Sequence, residues 1–332
     1  MEKPQIKHVR GVAFITLLSV IALTLGNYVG GLSPVVWGLI LGMIGGNLAV
    51  HPDLENLKPG IKFGEKTILA YAIILMGIPT GKSLNSSAPW DSALIVLLVM
   101  VVTIFSALLL YRLFKLNRED GLLIGIGNAV CGASAIAAIS GITKADAKST
   151  GMGIAVINIL GIIGLFAVPP IVLALDMDTI PGALMTGGTL QALGQAVAAG
   201  EAVNPETGLW ATTIKLFRVS MLLPIAIVVA LSVGRKNGNK PSLKLIPTFL
   251  WLFVLTAVVG YIEVLPTNIT SVLHDIEKYL LTIAMVAIGW QIQFGKLKNE
   301  GPRRLLFGTL IFIIQLVVMY GLISVIQPTL EA

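Results

Sequence analysis

Residues 209–234 read LWATTIKLFRVSMLLPIAIVVALSVG, an apolar run interrupted by two cations, Lys215 and Arg218. The run is long enough to cross ~30 Å of hydrocarbon, and both cations lie roughly half a membrane thickness from its polar start. A charge near a bilayer centre costs at least ~2.5–3.5 kcal/mol on insertion scales, so each should face a polar cavity or a partner. Their i, i+3 spacing puts them on one helix face. Such a pair suits a membrane protein that holds something negative.

The rest of the chain agrees with a membrane setting. Of 332 residues, 55% are hydrophobic and only 12% charged, against roughly 25% charged in a soluble domain. Mean hydropathy is +0.89. The 35 glycines fall largely inside the apolar runs, where transmembrane helices use them for close packing and breaks. The expected fold is an all-α polytopic membrane protein. The net charge of +6 reads as cytoplasmic loops obeying the positive-inside bias rather than as a nucleic-acid surface. A single cysteine, Cys131, excludes an intramolecular disulfide and any multi-cysteine metal site. Basic residues precede the first apolar run, but no convincing small-x-small cleavage site follows, so 11–29 is expected to be a retained helix.

Eleven apolar elements follow one another near 11–29, 33–50, 65–80, 91–113, 119–143, 149–175, 180–200, 208–233, 245–263, 279–295 and 304–326. The loops 1–10, 112–118, 235–244 and 296–304 are basic, whereas 263–277 holds Glu263, Asp275 and Glu277. That bias puts the N-terminus in the cytoplasm and the C-terminus outside. Two elements carry glycine breaks, at GIGNAVCGAS (125–134) and TGGTLQ (186–191). If both cross fully, Lys144 and Lys148 lie outside while Asp176 and Asp178 lie inside, against the bias. If both are re-entrant from opposite sides, all four fall on their preferred sides. Irregular backbone at such depth requires burial in protein or a cavity.

An internal repeat is compatible with the re-entrant version. LAYAIILMGI (69–78) resembles LLTIAMVAIG (280–289), and the first broken element with its following helix resembles 180–200 with 208–233. This divides one membrane domain, 1–332, into an extra N-terminal helix (11–29), a first repeat (33–175) and a second (180–326), with the order open to permutation. Inverted repeats with paired broken helices are a mark of many secondary transporters.

Chemistry-bearing residues in the apolar elements are few. Around the first break, Gly132 frees the backbone, and Asn128, Ser134 and exposed peptide groups are candidates to bind a ligand; the alternative is close helix packing by a small-residue run. Cys131 is a poor nucleophile candidate, because His8, His51 and His274 all lie in flanks or loops. Around the second break, Gly187 and Gly188 are read as preceding a helix start with free N–H groups that suit an anion. Thr189, Gln191 and Gln195 add hydrogen-bonding groups. The two glutamines are expected on one helix face at i, i+4, where they either donate to an anion or join helices. For the cationic pair, the alternatives are that Lys215 snorkels to the interface and that Arg218 ties helices together through carbonyls. Every Asp and Glu is read as lying in a loop or at a helix end, which removes an ion-pair explanation and argues against a sodium or proton carrier. Arg offers a planar fork matched to oxyanions, and Lys a point charge.

GNAVCGASAIAA (127–138), QAVAAG (195–200) and KLFR (215–218) followed by LLP (222–224) resemble the YeiH family of bacterial inner-membrane proteins, to which sulfate export is attributed. The resemblance runs from about 11 to 326. The family is grouped with bile-acid/sodium symporters and cation–proton antiporters, which implies two inverted repeats with broken helices crossing at midplane. Members usually carry a histidine and an aspartate in the second broken element, where this chain has Leu190, Gln191 and Ala192.

The resulting expectation is a secondary transporter of small anions, sulfate or related sulfur oxyanions and sulfonates, in a bacterial inner membrane. Arg218 and Lys215 would supply charge, and Asn128, Cys131, Gly132, Ser134, Gly187, Gly188, Thr189, Gln191 and Gln195 would line the site. A passive anion channel and a non-transporting anion sensor or scaffold stay open. No enzyme activity, metal, cofactor or nucleic-acid partner is expected. The absence of a GxxxxGK[ST] loop excludes ATP-driven transport by this chain alone. Partners are the anion, the lipid bilayer and, left open, further copies of the chain.

Overall fold

The structure, a computed structural model, describes residues 4–28, 33–48, 56–86, 90–233, 248–292 and 302–326. In chain order the helices are α1 (Pro4–Tyr28), α2 (Pro34–Leu48), α3 (Lys58–Phe63), α4 (Leu69–Ser86), α5 (Trp90–Leu110), α6 (Arg118–Ala129), α7 (Ala133–Thr143) and α8 (Ala147–Ala174). They continue with α9 (Thr179–Thr189), α10 (Leu193–Val203), α11 (Pro205–Ser220), α12 (Leu222–Val233), α13 (Thr248–Tyr261), α14 (Thr267–Gln291) and α15 (Pro302–Ile326). No strand occurs among the described residues. Among the described residues, five spans are long and apolar enough to cross a membrane: Val9–Gly26, Asp91–Phe114, Lys148–Ala174, Pro205–Ser232 and Pro302–Ile326. The protein is an all-α polytopic membrane protein.

The chain divides into two compact units, Met1–Ala88 with Phe249–Leu297, and Pro89–Thr248 with Lys298–Ala332. In the first, α2 lies on α14 along a glycine stripe. A Cβ on Gly38, Gly42 or Gly46 would stand 2.9, 2.1 or 2.2 Å from the carbonyl oxygens of Thr282, Val286 and Trp290. Such small-residue stripes let backbones approach where lipid offers no hydrophobic drive. Gly77 and Gly81 of α4 meet α13 in the same way, and Thr256 donates to the Ile74 carbonyl at 2.5 Å.

The second unit holds both broken elements, and its contacts fix their course. Leu123 and Gly127 of α6 lie against Gly153 and Ile157 of α8, in that order, so the two helices run parallel. Arg304, at the start of α15, touches both starts: its Nη2 lies 2.8 Å from Asp120 Oδ2 and its Nη1 3.2 Å from Met152 Sδ. The intervening α7 therefore runs back, and α6–α7 is a hairpin. Likewise Gly182 and Gly187 of α9 pack on Thr207 and Ala211 of α11, while Gly200 of α10 packs on Gly208. So α9–α10 is a second hairpin, entering from the opposite end of α8. The geometry is re-entrant, not the crossing that the family grouping implied. Arms of 11–12 residues reach ~17 Å, about half the ~30 Å hydrocarbon thickness. Asn117, Asp146 and Asn204 side chains cap α6, α8 and α11, each accepting a backbone N–H at 2.7 Å.

Two expected elements are corrected. The 208–233 run is two helices parted at Met221, because Pro224 lacks an N–H and its ring would crowd the Ser220 carbonyl. The helix expected at 279–295 begins at Thr267, so Glu277 sits in a helix interior at 5% exposure rather than in a loop or at a helix end. It belongs to the first unit. The basic loop 235–244, with Lys296 and Lys298, lies outside the described residues.

Candidate functional site

The two hairpin tips meet where α11 places its cations. Helix α6 ends at Ala129; Val130 leaves helical geometry at φ −111°, ψ −92°, and Gly132 turns the chain at φ +68° before α7 begins. That value favours glycine, the one residue without a Cβ. Helix α9 ends at Thr189, and Leu190 to Ala192 are extended or bent before α10. Each break leaves carbonyls without helical partners, which would cost several kcal/mol in hydrocarbon.

Lys215 and Arg218 supply the donors. Lys215 Nζ bonds Val130 O at 2.8 Å and Leu190 O at 2.6 Å. Arg218 Nε bonds Ala129 O at 3.0 Å, Nη1 bonds Gly187 O at 3.2 Å and Leu190 O at 2.9 Å, and Nη2 bonds Asn128 O at 2.5 Å. Both side chains have 0% exposure. The cations close the C-terminal, electronegative ends of α6 and α9, where positive charge is favoured. Snorkelling by Lys215 is ruled out by this placement. Arg218 ties the two hairpins through carbonyls.

Asn128 is the hub of this polar core. Its Nδ2 donates to Ile124 O at 3.1 Å, which leaves Oδ1 to accept from Gln191 Nε2 at 3.0 Å. Its backbone oxygen also accepts from Gln315 Nε2 at 3.3 Å, and Gln315 reaches Gly188 O at 3.4 Å. Asn128, Gln191 and Gln315 are at most 1% exposed.

The predicted residues thus separate into two groups. Asn128, Gly187, Gly188, Gln191, Lys215 and Arg218 share the buried core. Thr189 is buried too, but its hydroxyl bonds Met185 O in its own helix. Gly132, Cys131 and Ser134 form the first turn-over into α7; Ser134 is exposed and donates to Cys131 O and Sγ at 3.1 Å each. Gln195 turns back to accept the Ala192 N–H at 2.9 Å.

Two readings of these residues are corrected. Gly187 and Gly188 stand at the carbonyl end of α9, not before a helix start; the start with free N–H groups is at Leu193. A Cβ on Gly187 would lie 2.2 Å from Ala211 O, so this glycine serves the α9–α11 approach. Gln191 and Gln195 do not share a helix face, because α10 begins between them. Gln315, absent from the sequence reading, carried a usable signal: it is a lone carboxamide in the middle of the apolar run 304–326.

At the other side of each break, Gly132 and Ala192 precede helices whose caps offer no side-chain oxygen of their own. The first-turn N–H groups of α7 and α10 therefore lack helical acceptors, as helix starts do.

The family described as Conserved hypothetical protein 698 matches residues 10–308. The chain belongs to this family. A UPF0324 membrane protein of Pseudomonas putida is 28% identical over 312 residues, covering 91% of this chain and 88% of that protein. The UPF0324 inner membrane protein YeiH of Escherichia coli K12 is 30% identical over 294 residues, covering 85% and 82%. A UPF0324 membrane protein of Bacteroides thetaiotaomicron is 29% identical over 334 residues, covering 96% and 99%. No solved structure matches the chain.

Proposed function

We propose that this membrane protein is a secondary transporter of small anions, with the binding site at the meeting point of the two hairpin tips. The observation that carries this reading is the pair of fully buried cations behind four half-helix ends. The C-terminal ends of α6 and α9 count about −0.5 each and the N-terminal ends of α7 and α10 about +0.5 each, so they cancel. Lys215 and Arg218 then leave up to two positive charges, with no acidic side chain among the residues that bond them. Uncompensated charge in a low dielectric draws an anion of opposite sign.

In this reading the cations do not clasp the substrate through most of their donors, which are spent on carbonyls. They set the potential, and the first turns of α7 and α10, with Gln195 and with Ser134 once its hydroxyl turns away from Cys131, supply directed donors. Full burial of Lys215 and Arg218 favours a carrier that occludes its site over an open channel. Hairpins entering from opposite sides suit alternating access. Charge bias places the N-terminus, Lys144 and Lys148 in the cytoplasm, and Asp176, Asp178 and the C-terminus outside.

Flux of sulfate, sulfite, sulfonates and carboxylates into proteoliposomes containing the full chain is the test. Saturable uptake of at least one of these anions, reduced by Ser134→Ala, is expected. Uptake equal to protein-free vesicles for all of them defeats the reading.

A further inference from the structure

We propose that the anion held at the hairpin tips carries its own hydroxyl group: a protonated oxyanion such as hydrogen carbonate, hydrogen sulfite or dihydrogen phosphate. This rests on the anion-carrier reading above and narrows its substrate class.

The inference comes from counting donors and acceptors in the buried core. An ammonium has three N–H bonds and a guanidinium five. Lys215 spends two on Val130 O and Leu190 O, and Arg218 four on Ala129, Gly187, Leu190 and Asn128 carbonyls. One donor hydrogen remains on each. On the acceptor side, Gln191 Oε1 and Gln315 Oε1 are buried and have no hydrogen-bond partner among the described residues. Neither amide can be turned over to escape this. Asn128 Nδ2 is committed to Ile124 O, so Gln191 must present its NH2 to Asn128 Oδ1. Gln315 faces two carbonyls, which accept only from an NH2.

These atoms lie around one hub. Gln315 and Arg218 share Asn128 O, Gln191 holds Asn128 Oδ1, and Lys215 and Arg218 share Leu190 O beside Gln191. A buried unsatisfied acceptor is costly, so two of them in the same hydrogen-bond network as two unspent donors call for a common partner. A fully deprotonated oxyanion answers the donors but sets negative oxygens against the two amide oxygens. Water answers both kinds of atom but leaves the positive charges unmet. An oxyanion bearing O–H answers all three kinds of demand: a single O–H meets one of the two amide oxygens, and dihydrogen phosphate, with two, meets both.

The test compares anions matched in shape and differing in hydroxyl. Competition for uptake and thermal stabilisation of the purified full chain are measured with hydrogen carbonate against nitrate and acetate, and with dihydrogen phosphate against sulfate. Preference for the hydroxyl-bearing partner by about 100-fold is expected, because a site built to pair an O–H rejects analogues lacking it. Gln315→Met, which removes one acceptor at similar volume, should bring that ratio towards one. Equal handling of matched anions by the unaltered protein overturns the inference while leaving anion transport in place. Absence of uptake with a preserved hydroxyl preference in binding defeats the carrier reading instead. A preference unchanged in Gln315→Met and in Gln191→Met overturns the assignment to these two oxygens.

Discussion

Gln191 donates to the side-chain oxygen of Asn128 at 3.0 Å, across 63 residues of sequence, and so joins the tips of two hairpins that enter from opposite ends of α8. Both groups are buried, and the bond meets one donor of Gln191 and the side-chain acceptor of Asn128. The tips therefore form one polar element, and motion of either hairpin disturbs the other. A double-mutant cycle of Asn128→Ala and Gln191→Ala should show coupling of roughly 0.5–3 kcal/mol in detergent unfolding. Strictly additive losses would show that the tips are energetically separate.

Arg218 should matter more to folding than Lys215. Four carbonyl bonds depend on its guanidinium and two on the lysine amine. Arg218→Met should destabilise by about 3–5 kcal/mol and Lys215→Met by less, since unmet carbonyls and lost charge both count. Arg218→Lys should recover little, because a point charge cannot span both helix ends. Thermal melting of the three variants provides the ranking; a larger loss for Lys215→Met contradicts it.

Much of this arrangement was legible in the sequence. Glycine breaks at 125–134 and 186–191 and the charge signs of Lys144, Lys148, Asp176 and Asp178 already singled out re-entrant hairpins as one of two options. That Arg218 ties helices through carbonyls was one of the sequence alternatives, but which carbonyls was not legible, because backbone carbonyls are the same at every residue and leave no mark in side-chain identity. The polarity of Gly187 and Gly188 was inverted for a related reason: a glycine pair marks a helix end without saying which end. Gln315 is marked in the sequence on the same ground as Arg218, as a polar group deep in an apolar run.

Glycine packing separates two kinds of substitution. Gly187→Ala drives a methyl to 2.2 Å from Ala211 O, a backbone atom that cannot rotate away. A loss of about 1–3 kcal/mol and reduced uptake are expected. A Cβ on Gly141 or Gly151 would meet nothing within 4 Å among the described residues. Alanine at either should be neutral or stabilising by up to ~1 kcal/mol through helix propensity. Melting temperatures of the purified variants decide between these signs.

The His274–Glu277 pair in α14 gives a pH dependence. His274 Nδ1 lies 3.1 Å from Glu277 Oε2. The hydrogen bond to that carboxylate holds the imidazole above its usual value of 6.5, outweighing burial and Lys278, with Asp275 acting in the same sense. A folded-state value above the unfolded one adds stability that is complete below the ordinary value and fades as pH rises through the raised one. The imidazole is 61% exposed, so solvent screening keeps the effect small. His274→Gln should melt slightly below the parent in acid and match it in alkali; a gap that widens with rising pH reverses the sign.

The hairpin course predicts which faces of the membrane the connecting loops reach. Arg304 touches Asp120 at the start of α6 and Met152 near the start of α8, so the 144–146 turn shares their side. The turn at 175–178 lies at the far end of α8. In a Cys131→Ala background, Lys144→Cys should react with an impermeant maleimide only in inside-out vesicles, and Asp176→Cys only in right-side-out vesicles. Crossing helices would exchange the two patterns, since each full passage reverses the side on which the next loop emerges. In the unaltered protein, Cys131, half-buried at the first tip beside Ser134, serves as the native reporter. Its labelling should slow when a bound anion occupies the tips, and an unaltered rate at saturating transported anion would place the substrate elsewhere.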